Sequence, residues 1–139
     1  MKRVRVLTEV SCYMKNVPGM LGLLLKNLAE KGVNIDGIQS YDGQLQSLVR
    51  LVVDKPDIAE EILRESGVDL ISLPEVIEVL TTNQVGGLAK VTSVLGDHDI
   101  NIISIYSTDG VDEKFGRSYI RVHDTEKAAK ILEAELVDL

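Results

Sequence analysis

The chain has 139 residues, 45% of them hydrophobic and 27% charged, which suits one ordinary domain or two very small ones and leaves no room for separate substrate and cofactor lobes. A single cysteine, Cys12, excludes an intrachain disulfide and a thiolate zinc cluster. The formal net charge of -7 disfavours a phosphate backbone as partner, and the acidity is uneven: residues 1–73 hold 10 acidic and 9 basic side chains, residues 74–139 hold 12 and 6. The opening MKRVRVLTEV alternates charged and apolar residues, unlike a signal peptide, and no apolar run approaches the ~20 residues of a membrane span. A reducing, cytoplasmic setting is therefore expected, without nucleic acid, membrane, cofactor or metal.

In chain order, Val4, Val6, Thr8, Val10 and Cys12 alternate with Arg3, Arg5, Glu9 and Ser11, the period of a half-buried strand. Leu21, Leu24, Leu25 and Leu28 then fall at helical spacing, with Pro18 suited to the first turn and Gly32 to the stop, a helix of about fourteen residues. Val33 to Tyr41 and Leu45 to Asp54 read as strands around a tight turn at Asp42-Gly43. A helix over Asp57 to Glu65 and a short strand over Val68 to Leu73 complete the first half.

The second half repeats the first. From Val17 and from Gln84, two segments align without a gap at a shift of 67 positions. Gly19 meets Gly86, Leu21 meets Leu88, Asn34 meets Asn101, Ile35 meets Ile102, and Ser40 meets Ser107. Beyond the hairpins Ser47 to Leu51 matches Ser118 to Val122, and Ala59, Ile62 and Leu63 match Ala128, Ile131 and Leu132. Each half thus reads strand, helix, strand, strand, helix, strand, an α+β fold in which an antiparallel sheet carries two helices on one face, the ferredoxin-like arrangement. Domains are expected at 1–73 and 74–139. Val68-Asp69-Leu70 corresponds to Val137-Asp138-Leu139, where the second half stops, so its last strand should be a stub. The strand Glu75 to Thr82 should then keep a partly unpaired edge, of the kind another chain covers, and a homodimer is one solution.

Asn16-Val17-Pro18-Gly19-Met20-Leu21 after the first strand, with Gly32-Val33-Asn34-Ile35 opening the second, resembles the ACT domain, a small regulatory module of amino-acid metabolism. Asn83-Gln84-Val85-Gly86-Gly87-Leu88 and Asp99-Ile100-Asn101-Ile102 repeat the resemblance, so nearly the whole chain is similar to two ACT domains in tandem. The resemblance implies an effector site where two such units meet, lined by Asn16 to Leu21 with Asn34 and Ile35, and by Asn83 and Val85 to Leu88 with Asn101 and Ile102. The chemistry agrees. A helix start offers unpaired N–H groups to a carboxylate, Gly19 and Gly86 would let the backbone come close, and asparagine amides can hold a zwitterionic head. Pro18 becomes Val85 and Gly32 becomes Asp99, so the first half follows the pattern more closely. Relatives that sense serine tend to carry histidine where Met14 and Thr81 stand, which implies a bulkier or more apolar amino acid here.

Plainer readings compete at each position. Asn16 and Asn83 can simply bond loop amides, Gly19 and Gly86 can serve tight turns, and Asn34 and Asn101 can be structural polar residues at strand starts. Arg50 and Arg121 fall on the helix-free sheet face, where such arginines usually cover the sheet and reach solvent. His98 and His123 lack spaced companion ligands, Cys12 sits on the apolar phase of its strand, and Asp109, Asp112 and Glu113 read as a solvated acidic turn. No general base or nucleophile is in evidence, so no enzyme activity is expected. The expected function is amino-acid-binding regulation. The alternatives are a regulatory subunit of a partner enzyme, since Gly32 to Asp36 looks like the small subunit of acetolactate synthase, and an oligomerisation scaffold without ligand.

Overall fold

The computed structural model describes residues 2–108 and 114–136. The acidic turn of Asp109, Asp112 and Glu113 and the stub Val137-Asp138-Leu139 lie outside the described residues. In order the elements are β1 (Val4–Lys15), α1 (Met20–Glu30), β2 (Ile35–Asp42), β3 (Gln46–Val53), α2 (Pro56–Glu65) and β4 (Asp69–Ser72), then β5 (Glu75–Thr82), α3 (Gly87–Asp97), β6 (Ser104–Thr108), β7 (Phe115–Arg121) and α4 (Thr125–Glu135). Two compact units form, Thr8–Pro74 and Met1–Leu7 with Glu75–Leu139.

In the first of these, β3 lies between β2 and β1, and β4 pairs with the other side of β1 at Ser11 with Ser72 and Tyr13 with Asp69. All these pairs are antiparallel. Val10, Cys12 and Met14 of β1, Val49, Leu51 and Val53 of β3, Leu24 and Leu28 of α1, and Ala59, Ile62 and Leu63 of α2 make one core. Each such buried aliphatic contributes roughly 1.5–3 kcal/mol of transfer free energy. The β2–β3 hairpin is longer than a two-residue turn, because Asp42 pairs with Ser47. Gly43 closes it where a Cβ would stand 2.2 Å from the Gln46 carbonyl.

In the other unit β7 lies between β5 and β6, antiparallel to both, over a core of Ile77, Val79, Val91, Leu95, Ile120, Ala128 and Leu132. The expected free edge of β5 is not free. The Leu80 amide donates to the Arg3 carbonyl at 2.8 Å, Val4 joins this unit's core, and the Arg3 guanidinium donates to the Leu80 carbonyl through Nε at 3.2 Å. The first seven residues thus cluster with the second half, not with the first. The units part between Pro74 and Glu75, and residues 1–7 fall outside the unit that holds the rest of 1–73.

Burial departs from the simple alternation. Glu9 and Ser11 are buried although they occupy the polar phase of β1, and Val6 is 43% exposed. Glu9 is sustained by the Ser11 hydroxyl, which donates at 2.9 Å, and by Arg50 Nε at 3.8 Å, so Arg50 faces a carboxylate of its own unit. In β5, Glu78 is likewise buried, between Val76 and Leu80. Arg5 donates to it through Nε at 2.8 Å and Tyr119 through its hydroxyl at 3.0 Å, with Arg117 Nε at 3.8 Å.

Candidate functional site

The loop from β1 to α1 is a four-residue turn. The Met20 amide donates to the Val17 carbonyl at 3.3 Å, which places Pro18 at the second position and Gly19 at the third, with φ 89° and ψ -12°. Those are type II values, which favour proline at the second position and require positive φ at the third. The second half builds the same turn: the Gly87 amide donates to the Gln84 carbonyl at 3.0 Å, and Gly86 has φ 86° and ψ -4°. Pro18 therefore lies ahead of the helix, not in its first turn, and its replacement by Val85 is harmless because that position needs only an ordinary negative φ. Gly19 and Gly86 serve the left-handed turn. A Cβ on either would meet no protein atom within 4 Å, whereas at Gly87 a Cβ would stand 2.1 Å from the Thr82 carbonyl. Gly86→Ala is expected to cost about 1 kcal/mol in denaturant unfolding, from the left-handed backbone alone.

Each turn starts a helix whose first-turn amides are open. Leu23 donates to the Gly19 carbonyl and Lys90 to that of Gly86, both at 3.0 Å. Among the described residues, the amides of Leu21 and Gly22, and of Leu88 and Ala89, have no acceptor, and neither helix has a side-chain cap. A cavity opens beside each turn at the same place in the repeat.

In the unit Thr8–Pro74 the cavity holds about 280 Å³ and is lined by Met14, Lys15, Asn16, Val17, Met20, Leu21, Ser40, Asp42, Ser47 and Val49. Here Asn16 is already committed, its amide donating to the Gly43 carbonyl at 2.7 Å and to the Asp42 carboxylate. These bonds run to the β2–β3 hairpin, not to the loop amides of the plainer reading. In the other unit the cavity holds about 350 Å³ and is lined by Thr81, Thr82, Asn83, Gln84, Leu88, Ser107, Thr108, Gly116 and Ser118. Ser107 and Ser118 hydroxyls lie 2.7 Å apart across β6 and β7. No charged side chain is among its lining residues.

Of the residues singled out from the sequence, Asn16, Val17, Met20 and Leu21 line the first cavity, and Asn83 and Leu88 the second. Pro18, Gly19, Val85 and Gly86 shape the turns instead. Asn34 and Asn101 follow the C-terminal ends of α1 and α3 and line neither cavity. Asn34 bonds locally, its amide nitrogen donating to Asp36 at 2.9 Å and its backbone N–H to Asp54 at 2.8 Å. Ile35 and Ile102 pack against the cores. At the end of α3, Asp99 takes the place of Gly32 with φ 56°, a conformation that aspartate tolerates better than most residues. Sequence reasoning named Thr81 only as a position where serine-sensing relatives carry histidine, and it missed the strand residues Ser107 and Ser118, although both already stood in the repeat as partners of Ser40 and Ser47.

Among the described residues no group of three or more His, Cys, Asp and Glu could hold a metal ion, and no helix is long and apolar enough to cross a membrane. Burial pushes the Cys12 thiol up to about 11, which keeps it protonated and unreactive at neutral pH.

Residues 76–136 match the family model of the ACT domain. No curated protein sequence matches the chain significantly. Among solved structures, a protein from Bacteroides thetaiotaomicron is similar over 99% of this chain and 93% of its own, at 23% identity and a TM-score of 0.86. The regulatory subunit of aspartate kinase from Thermus thermophilus, in its ligand-free form, is similar over 96% of both chains, at 17% identity and a TM-score of 0.69. The corresponding subunit from Thermus flavus gives 20% identity over 96% of both chains and a TM-score of 0.64.

Proposed function

With residues 76–136 an ACT domain, we propose that the chain is a regulatory protein made of two ACT-type units that binds an amino acid and passes its occupancy to a partner enzyme. The observation that carries this reading is the recurrence of one construction in both halves: a type II turn, open first-turn amides and a cavity of amino-acid size beside them. Open amides at a helix start suit a carboxylate, and the adjoining asparagine suits an ammonium group or a second carboxylate oxygen. A regulatory subunit of aspartate kinase among the similar structures supports a separate enzyme as the recipient of the signal. Asn34 and Asn101 line neither cavity, so a part for them in a site calls for a further ACT-type unit beside it, which a homodimer could supply. Ligand then acts by favouring one of two arrangements through differential affinity.

A thermal-shift screen against the twenty amino acids at millimolar concentration tests this. Binding to the folded state alone must raise the melting temperature. The reading predicts a rise with one or a few amino acids, reduced in Asn83→Ala or Asn16→Ala. No rise with any of them would leave a subunit or scaffold that works without a ligand.

A further inference from the structure

The two units share a helix layer but not its outer surface. In the register that aligns Leu21 with Leu88 and Ala59 with Ala128, Leu23 of α1 corresponds to Lys90 of α3, and Ile58 of α2 to Lys127 of α4. Leu23 is 55% exposed and Ile58 39%, while both lysines reach solvent as a wetted helix face requires. The second unit thus builds the same layer without apolar residues at these places, so the packing of the fold does not demand them. There His98 Nε2 lies 3.1 Å from Glu135 and bridges α3 and α4. Lys31 and Ser66 stand at the corresponding places of the first unit, and the Ser66 hydroxyl donates instead to the Ile62 carbonyl at 2.8 Å. A groove of about 360 Å³ opens between Leu23, Asn27 and Glu30 of α1 and Ile62 and Glu65 of α2.

We infer that this face of α1 and α2 is where a second copy of the chain docks, helix layer against helix layer about a two-fold axis. Charge selects this occupant. On the outward side of α1, Lys26 follows Leu23 by three positions, and Lys31 ends the helix; on that of α2, Glu61 and Glu65 flank Ile62 and share the side of Ile58. Among the described residues these two lysines and two glutamates enter no ion pair. An axis along the groove lays α1 of one copy over α2 of the other, so the lysines of each meet the glutamates of its mate and the face is complementary to itself. A partner of one strong sign would be repelled by one of the two helices. Leu23 and Ile58 supply the apolar centre that loses water. The face shares no lining residue with the cavities at the turns, so it stands or falls apart from amino-acid binding.

Sedimentation velocity of the full chain over a range of concentrations tests it, with the double variant Leu23→Lys and Ile58→Lys beside the wild type. Both substitutions copy what the second unit already carries at the same places, so the fold should survive. The wild type should associate, and the double variant should weaken that association on the order of tenfold or more. A wild-type chain that stays single at every concentration would overturn the inference, as would association unchanged in the variant. A paramagnetic label on Lys26→Cys locates the contact without removing its apolar centre, since Cys12 is buried and does not compete for the label. Mixed with an isotopically labelled copy, it should broaden amides of α1 and α2 in that copy. Broadening confined to the sheet edges β2 or β6 would place the contact elsewhere and overturn the inference.

Discussion

Glu78→Ala is expected to lower the unfolding free energy by about 3 kcal/mol, the low end of the range for removing one partner of a buried charge cluster. The carboxylate side chain is 3% exposed and faces Arg5, Arg117 and the Tyr119 hydroxyl. Tyr119 is itself fully buried and would lose this acceptor, while Arg5, at 47% side-chain exposure, can turn to water and limit the loss. Urea unfolding of the variant at neutral pH measures the effect. A change under about 0.5 kcal/mol would mean that the cluster is solvated and contributes no more than a surface ion pair. The arrangement also explains why a glutamate stands on a strand whose neighbouring residues are all apolar: two arginines and a buried hydroxyl that need it come from β1 and β7.

Deletion of residues 1–7 is expected to have a still wider effect on the unit containing the second half. Val4 leaves the core, the Leu80 amide and carbonyl lose Arg3, and Glu78 loses Arg5. Core transfer and the lost bonds sum to on the order of 5 kcal/mol, comparable to the whole stability of a small domain. Amide hydrogen exchange should then show protection lost across Glu75–Thr82 and Phe115–Arg121. Unchanged protection there would mean that the N-terminal strand decorates the unit and does not complete it.

These two expectations concern features that local pattern reading could not supply. Period-two alternation marked β1 as a strand, yet it carries no information about which sheet a strand joins, so the passage of one strand between two units stayed hidden. The same alternation assigned Glu9 and Ser11 to a solvated face, where tertiary packing buries them with Arg50. What was legible came from strong local signals and from the repeat. Residues Glu75–Thr82 emerge as a strand with the expected limits, and Asp57 to Glu65 as a helix starting one residue earlier, at Pro56. The ACT-type motif located the two turns because positive φ forces glycine at the third position. It pointed to Thr81 only as the place of a histidine in serine-sensing relatives, and it did not locate Ser107 and Ser118, since serines on two strands declare themselves only when the sheet brings them to one cavity.

The central claim is that the cavity beside α3 receives an amino acid. Backbone amide chemical shifts of the isotopically labelled chain, recorded during titration with the tightest-binding amino acid, test it most directly. The account predicts perturbations concentrated at Thr81 to Ala89, Ser107 and Ser118, with saturation at one affinity and loss in Asn83→Ala. Saturable perturbations confined to other surfaces, with these amides unmoved, would contradict it.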